Sequence, residues 1–381
     1  MAIGKDREPR DSPEQQSGPI SSAVRLAEVA ASIALAADLA LGQPLEHVLR
    51  SCAIATRFAE HLGVSNDDRT ATYWFSLFML PGCTAVSFEL SQMFGDDIAM
   101  RAAVYATGPS MIEQLRYVLG RAGGEAPFLT RTRRRAQLLG TRMRGLERSA
   151  LAHCSINARL ADRLELGDRV TSALKHSFAR WDGHGIPSGL EGEEIALPVR
   201  IGGLADMMEV FHRVGGLQGA IGAARTWRGI AFDPALVDTW CDVAGDILGA
   251  VDGEAAWTIV MDDHANRSLT PPELENALDL LADYADLKSP WFTGHSREVA
   301  ALTEAAARQL GLPEQEVATA RHAASVHDLG RTSVPNSIWD KVAPLTEDEW
   351  ERVRLHAYLT DRVLRRSGGL ASLASIASSA H

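Results

Sequence analysis

The sequence predicts an all-α protein made of two tandem copies of one helical unit. Two observations predict it. Ala, Leu, Arg and Glu recur in runs of helical spacing broken by Gly, Pro and Asp, while alternating β-branched runs are nearly absent. The chain also repeats itself: HVLRSCAIATRFAEHLGV from His47 and HSREVAALTEAAARQLGL from His295 start 248 residues apart. Both run without a gap into a second match, LFMLPGCTA (Leu77 to Ala85) opposite SVHDLGRTS (Ser325 to Ser333), which sets Gly82 against Gly330 and Thr84 against Thr332.

Taken in order, residues 1–22 are polar and rich in Pro, Gly, Ser and Gln, too poor in apolar surface to offset their ordering entropy, and are expected to form a disordered tail. From Ser22 an Ala- and Leu-rich segment opens the first unit, expected over 23–268. Within it, RAGGEAPFLTRTRRRAQ (Arg121 to Gln137) reads as a solvated basic insertion, and AWTIVMDD near Trp257 is the best strand candidate, though it also suits a buried helix end. DDHANRSLTPPE has linker composition, and PPELENALDLLADYADLKSP is the helix leading into the second unit, expected over 269–381.

Composition excludes several classes. With 381 residues, 46% hydrophobic and 23% charged, the chain is ordinary globular material. It has no apolar run of membrane-spanning length and no apolar leader core, so no membrane partner is expected. A net charge of −11 disfavours a general nucleic-acid binder. Four widely spaced cysteines form no CxxC pair or disulfide framework, which suits a reducing cytoplasm.

The chemistry concentrates in the second unit. His327-Asp328 ends an apolar helix and offers one imidazole nitrogen and one carboxylate, a donor pair suited to Fe, Mn, Ni or Zn. Such a dipeptide is also a common cap pair. What raises it above that is the company of His295 at a helix start, His356 in WERVRLHAYLTDRVL, and His381.

VHDLGRTSVPNSIWDKVAPLTEDEWERVRLHAYLTDRVL resembles the HD superfamily of metal-dependent phosphohydrolases, in its HD-GYP branch. His295, His327-Asp328, Gly330-Arg331, Pro335, Pro344-Leu345-Thr346, Glu349-Trp350 and His356 fall in the family's order. The family pattern continues with a His pair where this sequence reads SSAH, so the second unit is expected to be incomplete. In the first unit HSFARWDGHGIPSGLEGEEIALPVRIGGLADMMEVF resembles the family's GYP segment, with Ile186 in place of its Tyr. There the chemistry departs: Met79-Leu80 stand opposite His327-Asp328, and Ser177-Phe178 opposite the His pair, leaving only His47, His153 and Asp206 at ligand-like positions. The first unit is thus expected to be catalytically dead and to serve dimerisation, sensing or scaffolding. Aligning His153 with His356 sets His381 opposite Phe178, the second place of the pair; a one-residue gap would make it the first.

The resemblance implies two divalent ions, Fe or Mn, held by His295, His327, Asp328, His356 and His381, with Asp328 bridging and Arg331 neutralising charge on the phosphoryl oxygens. It implies a cyclic dinucleotide substrate such as cyclic di-GMP. The alternative is a non-catalytic regulatory scaffold on degenerate HD units; a DNA-binding regulator is a weaker third reading.

Overall fold

The computed structural model describes residues 23–107, 144–262 and 266–380, with a few positions between 116 and 136. The expected tail, nearly all of the basic insertion and His381 lie outside the described residues.

Among the described residues the fold is helical, with isolated bridges but no strand. The first half runs α1 (Leu26–Leu41), α2 (His47–His61), α3 (Asn66–Phe78), a 3₁₀ turn (Pro81–Val86), α4 (Ser87–Phe94), α5 (Asp97–Thr107), α6 (Arg144–Arg163), α7 (Asp168–Leu174), α8 (Leu197–Thr226), α9 (Pro234–Gly253) and α10 (Ala256–Met261). The Trp257 segment is therefore a short helix that buries Ala256, Val260 and Met261, not a strand. The second half runs α11 (Pro271–Asp286), α12 (His295–Gln309), α13 (Glu314–Val326), a 3₁₀ turn (Leu329–Ser333), α14 (Asn336–Trp339), α15 (Glu347–Leu364) and α16 (Ala371–Ala377). Capping boxes fix the starts of α11 (Thr270 with Glu273) and α15 (Thr346 with Glu349), satisfying backbone N–H groups that have no partner within the helix.

The spacing of 248 persists in three dimensions. The bounds of α2 and α12, of α3 and α13, and the starts of the two 3₁₀ turns all coincide at that offset. Each of α2 and α12 follows a residue with positive φ, Glu46 or Gly294. Each has its second N–H donating to a buried Asp carboxyl oxygen from the preceding helix, Val48 to Asp38 at 3.1 Å and Ser296 to Asp286 at 3.0 Å.

The glycines of the turns show why the motif requires them. A Cβ on Gly82 would lie 2.3 Å from the His153 carbonyl oxygen, and one on Gly330 would lie 2.0 Å from that of His356. Their N–H groups donate to the residue one helical turn further on, Asn157 Oδ1 at 2.6 Å and Thr360 Oγ1 at 2.9 Å. The His153–His356 correspondence read from sequence is thus matched by the same turn-on-helix contact in both halves.

The halves interlock reciprocally. Thr332 donates to the Ala36 carbonyl of α1 at 2.8 Å, while Thr84 meets the Tyr284 hydroxyl of α11 at 2.9 Å. α1 is buried over nearly its whole length and packs on both 3₁₀ turns, so one apolar core runs through both halves. A second core joins α2, α8 and α9. The linker contributes as well: Leu26 N–H bonds the Arg267 carbonyl, and Ala27 N–H bonds Asn266 Oδ1. A buried ionic knot closes the junction, where Asp97 of α5 accepts from Lys288 Nζ at 2.8 Å, Arg101 at 2.9 Å and the Asn336 backbone at 2.8 Å. No helix among the described residues is long and apolar enough to cross a membrane.

Candidate metal centre

The α12 start, the α13 end and the middle of α15 bring three imidazoles to one buried carboxylate. His327 Nε2 lies 3.0 Å and His295 Nε2 3.4 Å from Asp328 Oδ2, and His356 Nε2 lies 3.4 Å from Asp328 Oδ1. His327, Asp328 and His356 are buried, while His295 is 38% exposed at its side chain.

Backbone carbonyls set the tautomers. His327 Nδ1–H donates to the Ala324 carbonyl at 2.8 Å, and His356 Nδ1–H donates to that of Val353. Nε2 of each ring then faces a carboxylate oxygen of Asp328, which also pairs with the Arg331 guanidinium, so both rings offer Nε2 to a cation that would be held beside that carboxylate. The separations fit one: donors about 2.1 Å from a metal stand about 3.0 Å apart at right angles and about 3.4 Å apart at tetrahedral angles. His295, His327 and Asp328 offer ligand atoms all within 4.8 Å of one another. The donor set therefore suits a divalent metal.

Thr360 holds the geometry. Its hydroxyl donates to the His327 carbonyl at 3.0 Å and accepts from Gly330 N–H, so the Asp328–Gly330 turn is pinned to the helix that carries His356.

Arg331 is 5% exposed. Its guanidinium pairs with Asp328 and stacks 4.0 Å over the Phe292 ring, with the adjacent Trp339 ring at 5.3 Å. Burial pulls this guanidinium below its ordinary pKa, against the opposing pull of Asp328. The structure thus directs Arg331 inward, onto Asp328.

In the first half, the sequence-marked residues do not gather into an equivalent cluster. His47 lies 3.1 Å from Asp206 and 2.5 Å from Glu209, one ring nitrogen to each. Burial alone would lower its pKa, but hydrogen bonds to the two carboxylates carry it up to about 10, so it is an imidazolium. Glu209 was missed from sequence, although it stands three residues after Asp206 on the same helix face. His153 sits apart, its Nε2–H donating to the Met79 carbonyl at 2.7 Å, and burial lowers its pKa to about 4. Met79 and Leu80 present only apolar side chains. Phe292, Trp339 and Thr360 around the second-half cluster were also missed; the Thr360 and Asn157 positions, each four residues after a histidine, were the available signal.

An all-helical fold with imidazoles from separate helices around an Asp defines a metal-dependent phosphohydrolase of the HD type. Residues 279–381 match the HD domain family. The 3′3′-cGAMP-specific phosphodiesterase 3 of Vibrio cholerae is 27% identical over 362 residues, covering 93% of this chain and 79% of that protein. The crystal structure of a cyclic GMP-AMP-specific phosphodiesterase from V. cholerae superposes with a TM-score of 0.68 at 27% identity, covering 91% of this chain and 80% of that one. A cyclic di-GMP phosphodiesterase of Thermotoga maritima is 31% identical over 95 residues, 25% of each protein. Residues 279–381 thus carry an HD domain, and the chain as a whole is similar to HD-type cyclic-dinucleotide phosphodiesterases.

Proposed function

We propose that this chain hydrolyses a phosphodiester bond of a cyclic dinucleotide at the cluster around Asp328. The observation that carries the reading is the convergence of His295, His327 and His356 on the two oxygens of that one carboxylate. Oδ2 faces His295 and His327 and Oδ1 faces His356, a division suited to a carboxylate bridging two cations. His381 would add a further ligand from outside the described residues. When bound, such ions supply a water of lowered pKa and neutralise charge on the phosphoryl oxygens.

The protein's own groups do the rest. The Ala324 and Val353 carbonyls hold two imidazoles in the ligating tautomer. His295, the most exposed of the set, marks the side open to substrate. Arg331 acts on Asp328, pairing with it while stacked on the Phe292 ring, rather than reaching a phosphoryl oxygen. We assign metal binding to the second half, 269–381, and none to Met79, Leu80, His153, His47 or Asp206 in the first, 23–268.

As substrate, 3′3′-cGAMP comes first, because the relative specific for it aligns along 93% of this chain, whereas the T. maritima cyclic di-GMP enzyme aligns along 25%. The test is chromatography of 3′3′-cGAMP and cyclic di-GMP incubated with Mn(II)- or Fe(II)-loaded protein. A linear dinucleotide should form, faster from 3′3′-cGAMP, and His327→Ala should abolish it. Intact cyclic dinucleotides under every loading would refute the reading.

A further inference from the structure

Where the repeat would set a second metal centre, the first half carries a cavity of about 480 Å³, within the size range of small-molecule sites. Its wall replaces metal donors with Met79, Leu80 and Phe178, and the GYP-like loop closes one side through an Ile186 N–H to Phe178 carbonyl bond at 2.9 Å. Gly185 permits that closure, since a Cβ there would lie 2.4 Å from Arg180 N. The lining is mainly aliphatic, with aromatic faces among it: the Phe178 ring lies 4.7 Å from that of His153, and Tyr105 and Trp181 also line the space.

The charged groups of the lining are held by partners in or just behind the wall. Arg101 pairs with Asp97, Arg180 with Asp182, Arg200 with Asp233, and Asp206 with His47. Each charged side chain of the lining therefore already has an oppositely charged partner. Three buried atoms of the lining nonetheless lack a hydrogen-bond partner: His153 Nδ1, Arg200 Nε and Asp206 Oδ1, the last facing His47 Nε2 at 3.1 Å. His153 spends its Nε2–H on Met79 and stays neutral, so Nδ1 is an acceptor; Arg200 Nε–H is a donor. A buried polar atom without a partner is unfavourable and is usually satisfied by water or a ligand.

We propose that this cavity is a binding site for an uncharged, planar heteroaromatic molecule of the lactam type, which donates to His153 Nδ1 and accepts from Arg200 Nε–H while its rings pack between Phe178 and Met79. It is a ligand class distinct from the anionic substrate of the second half, and its test does not depend on hydrolysis.

The probe is lumichrome, a fluorescent, uncharged tricyclic lactam, titrated into the full chain and read by fluorescence anisotropy. Saturable binding at one site per chain, with a dissociation constant of about 100 µM or tighter, is expected from ordinary ligand efficiency. Gly203→Leu projects a side chain from a cavity-lining position where a Cβ meets nothing within 4 Å, so it should fill the space and weaken binding at least tenfold. Absence of saturable binding, or wild-type affinity in a Gly203→Leu protein of unchanged helicity, would overturn the proposal. A second readout uses wild-type protein alone. Cys83 lines the cavity and Cys241 does not, so lumichrome should slow N-ethylmaleimide modification of Cys83 relative to Cys241. Equal rates with and without lumichrome would overturn it, as would displacement of lumichrome by 3′3′-cGAMP, which is anionic.

Discussion

Gly330→Ala is the sharpest perturbation of the site's framework. The added methyl would lie 2.0 Å from the His356 carbonyl oxygen and 2.6 Å from the Thr360 backbone nitrogen. Carbon atoms do not approach backbone oxygens closer than about 3.0 Å, so the turn and α15 must separate by about 1 Å. Both clashing atoms are helix backbone and cannot rotate away. Overpacking of this kind costs about 1–3 kcal/mol, and lengthening the Gly330 N–H bond to Thr360 adds about 1 kcal/mol. The same displacement carries His356 away from Asp328 Oδ1, now 3.4 Å from its Nε2. The expected outcome is therefore double: a lowered melting temperature by circular dichroism, and at least a tenfold loss of Mn(II) affinity by calorimetry, the order of effect seen when groups that orient a ligand are disturbed. Gly82→Ala supplies the control, with the same clash, at 2.3 Å from the His153 carbonyl, but no ligand behind it. It should lower the melting temperature and leave Mn(II) affinity unchanged. Wild-type stability and metal affinity in Gly330→Ala would refute the reasoning.

Other outcomes follow from the same geometry. Asp328→Ala leaves the Arg331 guanidinium buried without its carboxylate and should destabilise the fold by about 3–5 kcal/mol in urea unfolding, whereas Asp328→Ala combined with Arg331→Met should recover much of that loss. Lys288→Met removes one cation from the buried Asp97 knot. It should destabilise by less than Asp97→Ala, which strands both Lys288 and Arg101. His47 has a folded pKa of about 10 against about 6.5 unfolded, so its stabilising contribution is complete below pH 6.5 and is lost as pH rises through 10. Asp38, whose pKa burial pushes up to about 8, acts in the same direction, since its protonated form is the one the fold favours. Melting temperature should therefore fall from pH 7 to pH 10, and His47→Gln should flatten that slope.

Much of this organisation was legible in the sequence because the repeat is exact in spacing. The match between His47 and His295 carried through α2, α3 and the 3₁₀ turn without insertion, so helix bounds agree residue for residue. His327-Asp328, a common pair alone, was legible as a candidate site because His295 and His356 accompany it in the order of the HD pattern. What lay hidden is tertiary. Nothing in the composition of Leu26–Leu41 says that α1 packs on both turns, since an Ala-rich helix buried on all sides has no polar face to orient it. The Asp97–Lys288–Asn336 knot joins residues about 190 and 240 positions apart and leaves no local pattern. Arg331 was expected at the substrate, but the two aromatic rings that turn it inward, Phe292 and Trp339, come from segments on either side of it and could not be placed beforehand.

The most direct test of the central claim is the metal content of the purified chain after Mn(II) or Fe(II) loading and desalting, compared with His327→Ala and His356→Ala. Retention of near-stoichiometric metal by the wild type and its loss from both variants is the result the geometry requires. Equal metal in all three proteins, or none in any of them, would contradict it.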